Sequence, residues 1–331
     1  MNIKKTTTVF CCLMLGILFL FGCGKSKGNT RAYEQSKKDT KIQIYIPIVS
    51  KGWQHQYWQV VKMGADKAAK QYNVRITFEG PEGDAAISKQ IEIIDSALSK
   101  KPAALVLAAV NSKAVIPTLE KAKSLNIPVI GFDSGVDSNI LVTTVATDNV
   151  AAGSFAADKL AIAIGQKGEI AVICHDSVST TGIGRRDGFI NRIKEKYPKI
   201  KVVDIKYSGG DHYISKSITE TIIENHPNIK GIFATNEGSA YGLINGITEK
   251  NKIGKIVIVG YDAGKFQKDA VRSKVMLGAI SQDPVGVGYK AVEAAYEASK
   301  GEKLPSKIDT GYKWYDNTNV DDEKLKTSLY D

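Results

Sequence analysis

The chain has 331 residues, 43% of them hydrophobic, 24% charged, and a formal net charge of +10. That length and apolar content describe a globular body larger than one comfortable core, and exclude a disordered or low-complexity chain. The excess Lys is dispersed over many segments without tight basic clusters or zinc-finger spacing, so it reads as solvated helix faces near an anionic envelope rather than a nucleic-acid footprint.

The first stretch has Lys4 and Lys5, then an apolar run over 9–21 that ends Leu-Phe-Gly-Cys at Cys23. A basic start followed by a core too short to span a bilayer comfortably is a signal-peptide layout. A small residue before Cys at its end resembles a bacterial lipobox, with Phe21 bulkier than that pattern usually has. Residues 1–22 are therefore expected to be a signal peptide and Cys23 a lipidated mature N-terminus. The alternatives are an ordinary signal peptide or an uncleaved anchor. All three place the body outside the cytoplasmic membrane. Residues 23–40 are polar and read as a flexible tether. Cys11 and Cys12 lie in the apolar run, so only Cys174 remains in the body. No internal disulfide is expected, and Cys174, inside an apolar run, reads as core.

From residue 42 the pattern alternates. Strands are expected at 42–49, 74–78, 104–108, 128–131 and 141–145, with helices at 56–72, 85–99, 113–125 and 149–164 among them. Strands then follow at 169–174, 202–206, 231–234 and 255–260, with helices at 180–197, 213–225 and 240–250. A strand over 274–281, a helix over 285–300 and a last strand over 309–315 close the chain. This βαβα rhythm predicts an α/β protein with parallel sheets wrapped by helices, in two domains.

One unit occurs twice. Residues 127–135 read Ile-Pro-Val-Ile-Gly-Phe-Asp-Ser-Gly, and 256–264 read Ile-Val-Ile-Val-Gly-Tyr-Asp-Ala-Gly. Each is a short apolar run, a buried-strand signal, that delivers an Asp just past the strand's carboxyl end. Upstream, both copies are preceded by a strand ending near an Asn, Asn111 or Asn236. Ligands of open parallel sheets bind outside the carboxyl ends of the strands. Two facing units would gather Asp133, Asp262, Asn236 and, if it is not simply a helix cap, Asn111 around one cleft. A capping role for each Asp is the plainer alternative, and the doubling favours the cleft.

Catalytic patterns are missing from the sequence. It has neither a phosphate-binding loop nor a Gly-x-Ser-x-Gly elbow, and Gly182-Ile-Gly184 does not continue as a dinucleotide fingerprint. The four His residues have no metal-ligand spacing. A binding protein without cofactor or metal is expected, not an enzyme.

The residues past the first strand, Ser50-Lys-Gly-Trp-Gln-His-Gln-Tyr-Trp58, together with Thr147-Asp-Asn149, Arg185-Arg-Asp-Gly-Phe189, Phe233-Ala-Thr-Asn-Glu237, Gly260-Tyr-Asp262 and Ile280-Ser-Gln-Asp-Pro284, come in a specific order and spacing. In that order the chain resembles the type I periplasmic binding proteins, in particular their ribose-binding-like sugar group. The resemblance implies two Rossmann-like lobes joined by a three-segment hinge. It implies an N-terminal lobe of 41–147 plus 283–308 and a C-terminal lobe of 148–282 plus 309–331, with chain exchange near Asp148, Gln282 and Lys307. It also implies a ligand set of Ser50, Tyr57, Trp58 and Asp133 from one lobe and Arg185, Asn236 and Asp262 from the other, with Gln282 at a hinge. His55 sits where some relatives contact ligand, or else on the cleft rim. Ser134 stands where the ribose-type pattern has Arg, and Trp58 where it has Phe, so a ring other than ribose is in play.

The chemistry suits a monosaccharide. Aromatic rings cover the C–H faces of a sugar, carboxylates accept from paired hydroxyls, and a guanidinium donates from a rigid fork. The implied function is a lipid-anchored binding protein that closes on an aldose, a pentose such as xylose or ribose, and delivers it to a membrane ABC importer. The alternatives are a sugar sensor docking on a membrane histidine kinase, and a binder of another small molecule on the same fold.

Overall fold

The computed structural model describes residues 43–330 except 54, 84 and 85. The proposed signal peptide, Cys23 and the tether lie outside the described residues.

The first sheet is built from β1 (Tyr45–Val49), β2 (Arg75–Glu79), β3 (Leu105–Leu107), β4 (Val129–Phe132), β5 (Thr143–Ala146) and β11 (Lys307–Asp309), in the order β2-β1-β3-β4-β5-β11. Every pairing in it is parallel. The second sheet contains β6 (Gly168–Cys174), β7 (Ile200–Tyr207), β8 (Ile229–Ala234), β9 (Val257–Tyr261), β10 (Gly278–Gln282) and β12 (Tyr312–Asp316), in the order β7-β6-β8-β9-β10-β12. Only β12 runs antiparallel, against β10. The fold is thus two α/β lobes, as expected.

Central strands such as β3, β4 and β10 are buried along their whole length, which is why they read as unbroken apolar runs. Edge strands β2 and β7 are mostly half-buried or exposed, with one buried position each. Cys174 ends β6 inside the core, and burial pushes its thiol up to about 12.

The chain passes between sheets three times: after β5, between β10 and the helix that follows it, and between β11 and β12. The short strand β11 and the helix α8 (Lys265–Arg272) were not expected from the sequence. The strand expected at 274–281 starts later, at Gly278, because Lys274 takes a left-handed φ of 60° to end the turn after α8.

In the first lobe, α1 (Gln56–Tyr72) lies against α9 (Pro284–Ser299) at backbone contact. A Cβ on Gly288 would fall 1.9 Å from the carbonyl oxygen of Val61, and one on Gly64 would fall 2.1 Å from that of Val285. The second lobe repeats the device, with Gly153 of α4 (Asn149–Ala163) and Gly188 of α5 (Thr180–Lys196) meeting the opposite backbone. Gly288→Ala should therefore push two helices apart at a point where neither can yield. We expect about 1–3 kcal/mol of destabilisation, read as a melting temperature several degrees lower; an unchanged melt would contradict this packing.

Candidate functional site

Both sheets share the strand order in which the second-numbered strand lies outside the first. The switch points are at β1/β3 and β6/β8, where side chains beyond the strand ends face a crevice. A cavity there is lined by Lys51, His55, Tyr57, Trp58, Asp133, His175, Thr181, Arg185, Asn236, Asp262 and Gln282. It is narrow, with about 310 Å³ of empty space including the solvent at its mouth.

The two Asp-tipped strands meet here. Asp133 follows β4 and Asp262 follows β9; both are buried, and both take left-handed φ, 55° and 73°. Asp tolerates this region better than most residues, yet it is sparsely populated and costs about 1 kcal/mol or more. In each, the backbone N–H donates to the carbonyl of the neighbouring strand, Asp133 to Val145 at 2.9 Å and Asp262 to Ile280 at 2.6 Å. The turn thereby aims each carboxyl away from the strand.

Asp133 accepts from the Tyr57 hydroxyl at 2.8 Å. Burial raises the Asp133 carboxyl above its ordinary range, while Lys51, Arg185 and the Tyr57 bond oppose the shift. Burial and the neighbouring Asp133 and Asp262 hold the Tyr57 phenol well above its ordinary value, so Tyr57 remains a neutral donor. Asp262 accepts at one oxygen from Gln282 Nε2 at 2.8 Å and at the other from the Glu237 N–H at 3.0 Å.

Arg185, on α5, is 3% exposed and rigidly held. Its Nε donates to Asn149 Oδ1 and its Nη1 to the Thr235 carbonyl, both at 2.8 Å. Its guanidinium lies 3.6 Å from the centre of the Tyr261 ring. Burial disfavours its charge, but Tyr261, Asp262 and Asp133 outweigh that and keep it protonated. Trp58 is edge-on to Tyr57 and Phe132, so its indole is fixed as a wall of the cavity.

Asn236 lines the cavity and also caps α7 (Glu237–Glu249), accepting from Ser239 N at 2.9 Å. The capping and cleft roles that the sequence sets against each other coexist in this residue. Asn111 does neither: its Oδ1 accepts from the N–H groups of Lys113 and Ala114 in the turn ahead of the helix Ile116–Ser124, whose N-cap is Val115, and it lies outside the cavity lining. Ser50 also falls outside the lining, against expectation. Its hydroxyl faces the carbonyls of Gly52 and Glu79 and is fully buried, so it shapes the loop after β1.

Three lining residues were not singled out from sequence. Lys51 is 2% exposed and reaches across to the second lobe, 3.2 Å from both Asp176 Oδ2 and Ser179 Oγ. Burial opposes the Asp176 charge, yet Lys51, His175 and Ser179 hold its carboxyl well below the ordinary range. His175 places Nδ1 2.8 Å from Thr235 Oγ1 and Nε2 3.2 Å from Thr181 Oγ1; burial keeps the imidazole neutral. His175 directly follows β6, so the strand-end rule that found Asp133 applies to it too. Among the described residues no cluster has the makings of a metal site.

A model of the periplasmic binding protein domain matches residues 46–303. The ribose import binding protein of Bacillus subtilis is 24% identical over 305 residues, covering 92% of this chain and 96% of that protein. The D-allose-binding periplasmic protein of Escherichia coli is 24% identical over 268 residues, 78% of this chain and 85% of that one. Among solved structures, a carbohydrate transporter solute binding protein from Agrobacterium radiobacter in complex with D-arabinose is 34% identical, with a TM-score of 0.84 over 88% of this chain and 100% of its own. An ABC transporter solute binding protein from Agrobacterium vitis with bound D-fucose is 31% identical, with a TM-score of 0.83 over 86% of this chain and 100% of its own. By name these relatives are sugar- or solute-binding proteins rather than enzymes. With its two parallel-sheet lobes and a cavity at their switch points, the chain belongs to the type I periplasmic binding proteins.

Proposed function

We propose that this protein captures one neutral monosaccharide between its lobes, outside the cytoplasmic membrane, and delivers it to an ABC importer. The observation that carries the reading is the convergence of Asp133, Asp262 and Arg185, each buried, on one cavity walled by Trp58. A sugar's hydroxyls supply donors for the carboxylates and acceptors for the guanidinium, and its C–H face lies against the indole. The cavity is small, which argues against an oligosaccharide.

Charge narrows the ligand further. In the cavity lining Lys51 and Arg185 stand with Asp133 and Asp262, and Lys51 is paired besides with Asp176, which lies outside the lining. There is no surplus positive charge for a phosphate or a carboxylate, which favours an uncharged polyol. An aldose, with a pentose first in line, fits this description. D-arabinose and D-fucose in the sites of the two Agrobacterium proteins support the same class. Binding would favour the closed arrangement because the ligand's contacts with both lobes exist only there.

Arg185→Ala and Asp262→Ala each leave buried polar partners unpaired. Each should weaken binding by roughly 2–4 kcal/mol, thirtyfold or more in Kd, measured by titration with the sugar that the unaltered protein binds. Undiminished affinity in both variants would refute the site.

The sequence motif ending at Cys23 supports a lipid anchor on the membrane's outer face. Cells producing the protein should incorporate radiolabelled palmitate into it, and Cys23→Ala should remove the label; an unlabelled native protein would exclude the anchor.

A further inference from the structure

The first four N–H groups of a helix have no acceptor within it, and a side chain just before the helix usually serves one or two of them. Helices α4, α5, α7 and α9 follow this pattern, with Asp148, Ser179, Asn236 and Asp283 as caps. Helix α1 does not: His55 at its N-cap makes no side-chain cap bond, and its first turn carries no acid. Helix α8 likewise starts at Gly264, which has no side chain to offer.

The missing caps come from the opposite lobe. Glu237, at the start of α7 in the second lobe, accepts from the α1 amides, Gln56 N at Oε1 (3.0 Å) and Tyr57 N at Oε2 (3.1 Å). In return, the Gln56 side chain of the first lobe accepts from Lys265 N, the first amide of α8, at 2.9 Å. The Tyr330 hydroxyl adds a bond to Glu237 Oε2 at 3.3 Å. Gly264 makes room for both side chains: a Cβ there would lie 2.8 Å from Gln56 Oε1 and 3.0 Å from Glu237 Oε1. Its φ of −59° is ordinary, so alanine would obstruct the contact without straining the backbone.

We propose that Glu237 and Gln56 form a reciprocal latch, in which each lobe caps a helix of the other, and that these residues set how long the closed lobes hold a ligand without touching it. Neither lines the cavity. The bonds of Gln56 N and Tyr57 N to Glu237 and of Lys265 N to Gln56 span the two lobes, so opening breaks these three together and returns three helix amides to water, while Tyr330 stays with Glu237 in the second lobe. The Glu237 backbone N–H still serves Asp262 when the side chain is changed, so the binding carboxylate keeps its partner. The link to ligand retention rests on the sugar-capture reading, whereas the latch itself does not.

The test is residue-resolved hydrogen exchange on the full chain, without sugar, for the unaltered protein, Glu237→Gln and Gly264→Ala. Losing a bond to a charged acceptor should speed exchange at Gln56 and Tyr57 by about tenfold or more, with Val60 and Val61 further along α1 unchanged. Equal rates in all three proteins would overturn the latch. With D-ribose, D-xylose, D-arabinose, D-allose and D-fucose as probes, any sugar the unaltered protein binds should dissociate about tenfold faster from both variants. Faster exchange with unchanged dissociation would overturn the role in retention. If none of the five binds the unaltered protein, the aldose reading fails while the exchange result still decides the latch.

Discussion

Three charges buried in one place govern this molecule. Asp133, Asp262 and Arg185 are each almost wholly removed from solvent, and a charge in that position is tolerable only when hydrogen-bonded or paired. The fold supplies part of what they need. Tyr57, Gln282 and the Glu237 amide serve the carboxylates, and Asn149, the Thr235 carbonyl and the Tyr261 ring serve the guanidinium. What remains is a set of directed donor and acceptor positions facing one another across a narrow space. A polyol carries groups that answer to both kinds at once.

The lobes are arranged to bring those groups together and to part again. Each sheet delivers its Asp through a left-handed turn, and each turn continues into a small-residue loop that meets the other lobe. Gly135 N donates to Thr180 Oγ1 of the second lobe, and in the matching segment the residue after Gly264 donates to Gln56 of the first. The same short motif therefore places a cavity carboxylate on one side and a lobe-to-lobe contact on the other. Lys51 adds an ion pair with Asp176 that exists only while the lobes are close.

This double use explains why so much was legible in the sequence. Buried parallel strands announce themselves as apolar runs, the chain's length called for two domains, and the repeated Gly-aromatic-Asp unit marked both carboxylates that line the cavity. What escaped was set by tertiary context. Lys51 looked like one more surface lysine in a basic chain, because its partners Asp176 and Ser179 are more than a hundred residues away. Ser50 looked like a ligand contact, but its hydroxyl turns back to local carbonyls. The short α8 begins without a capping side chain of its own, so its start signal lies in Gln56, on the other lobe.

The most direct test of this account is calorimetric titration of the protein with neutral aldoses, D-ribose, D-xylose, D-arabinose, D-allose and D-fucose, beside an amino acid and a purine nucleoside. The account predicts saturable one-to-one binding of at least one aldose and no heat from the amino acid or nucleoside. Saturable binding of either of those, with every aldose silent, would contradict it.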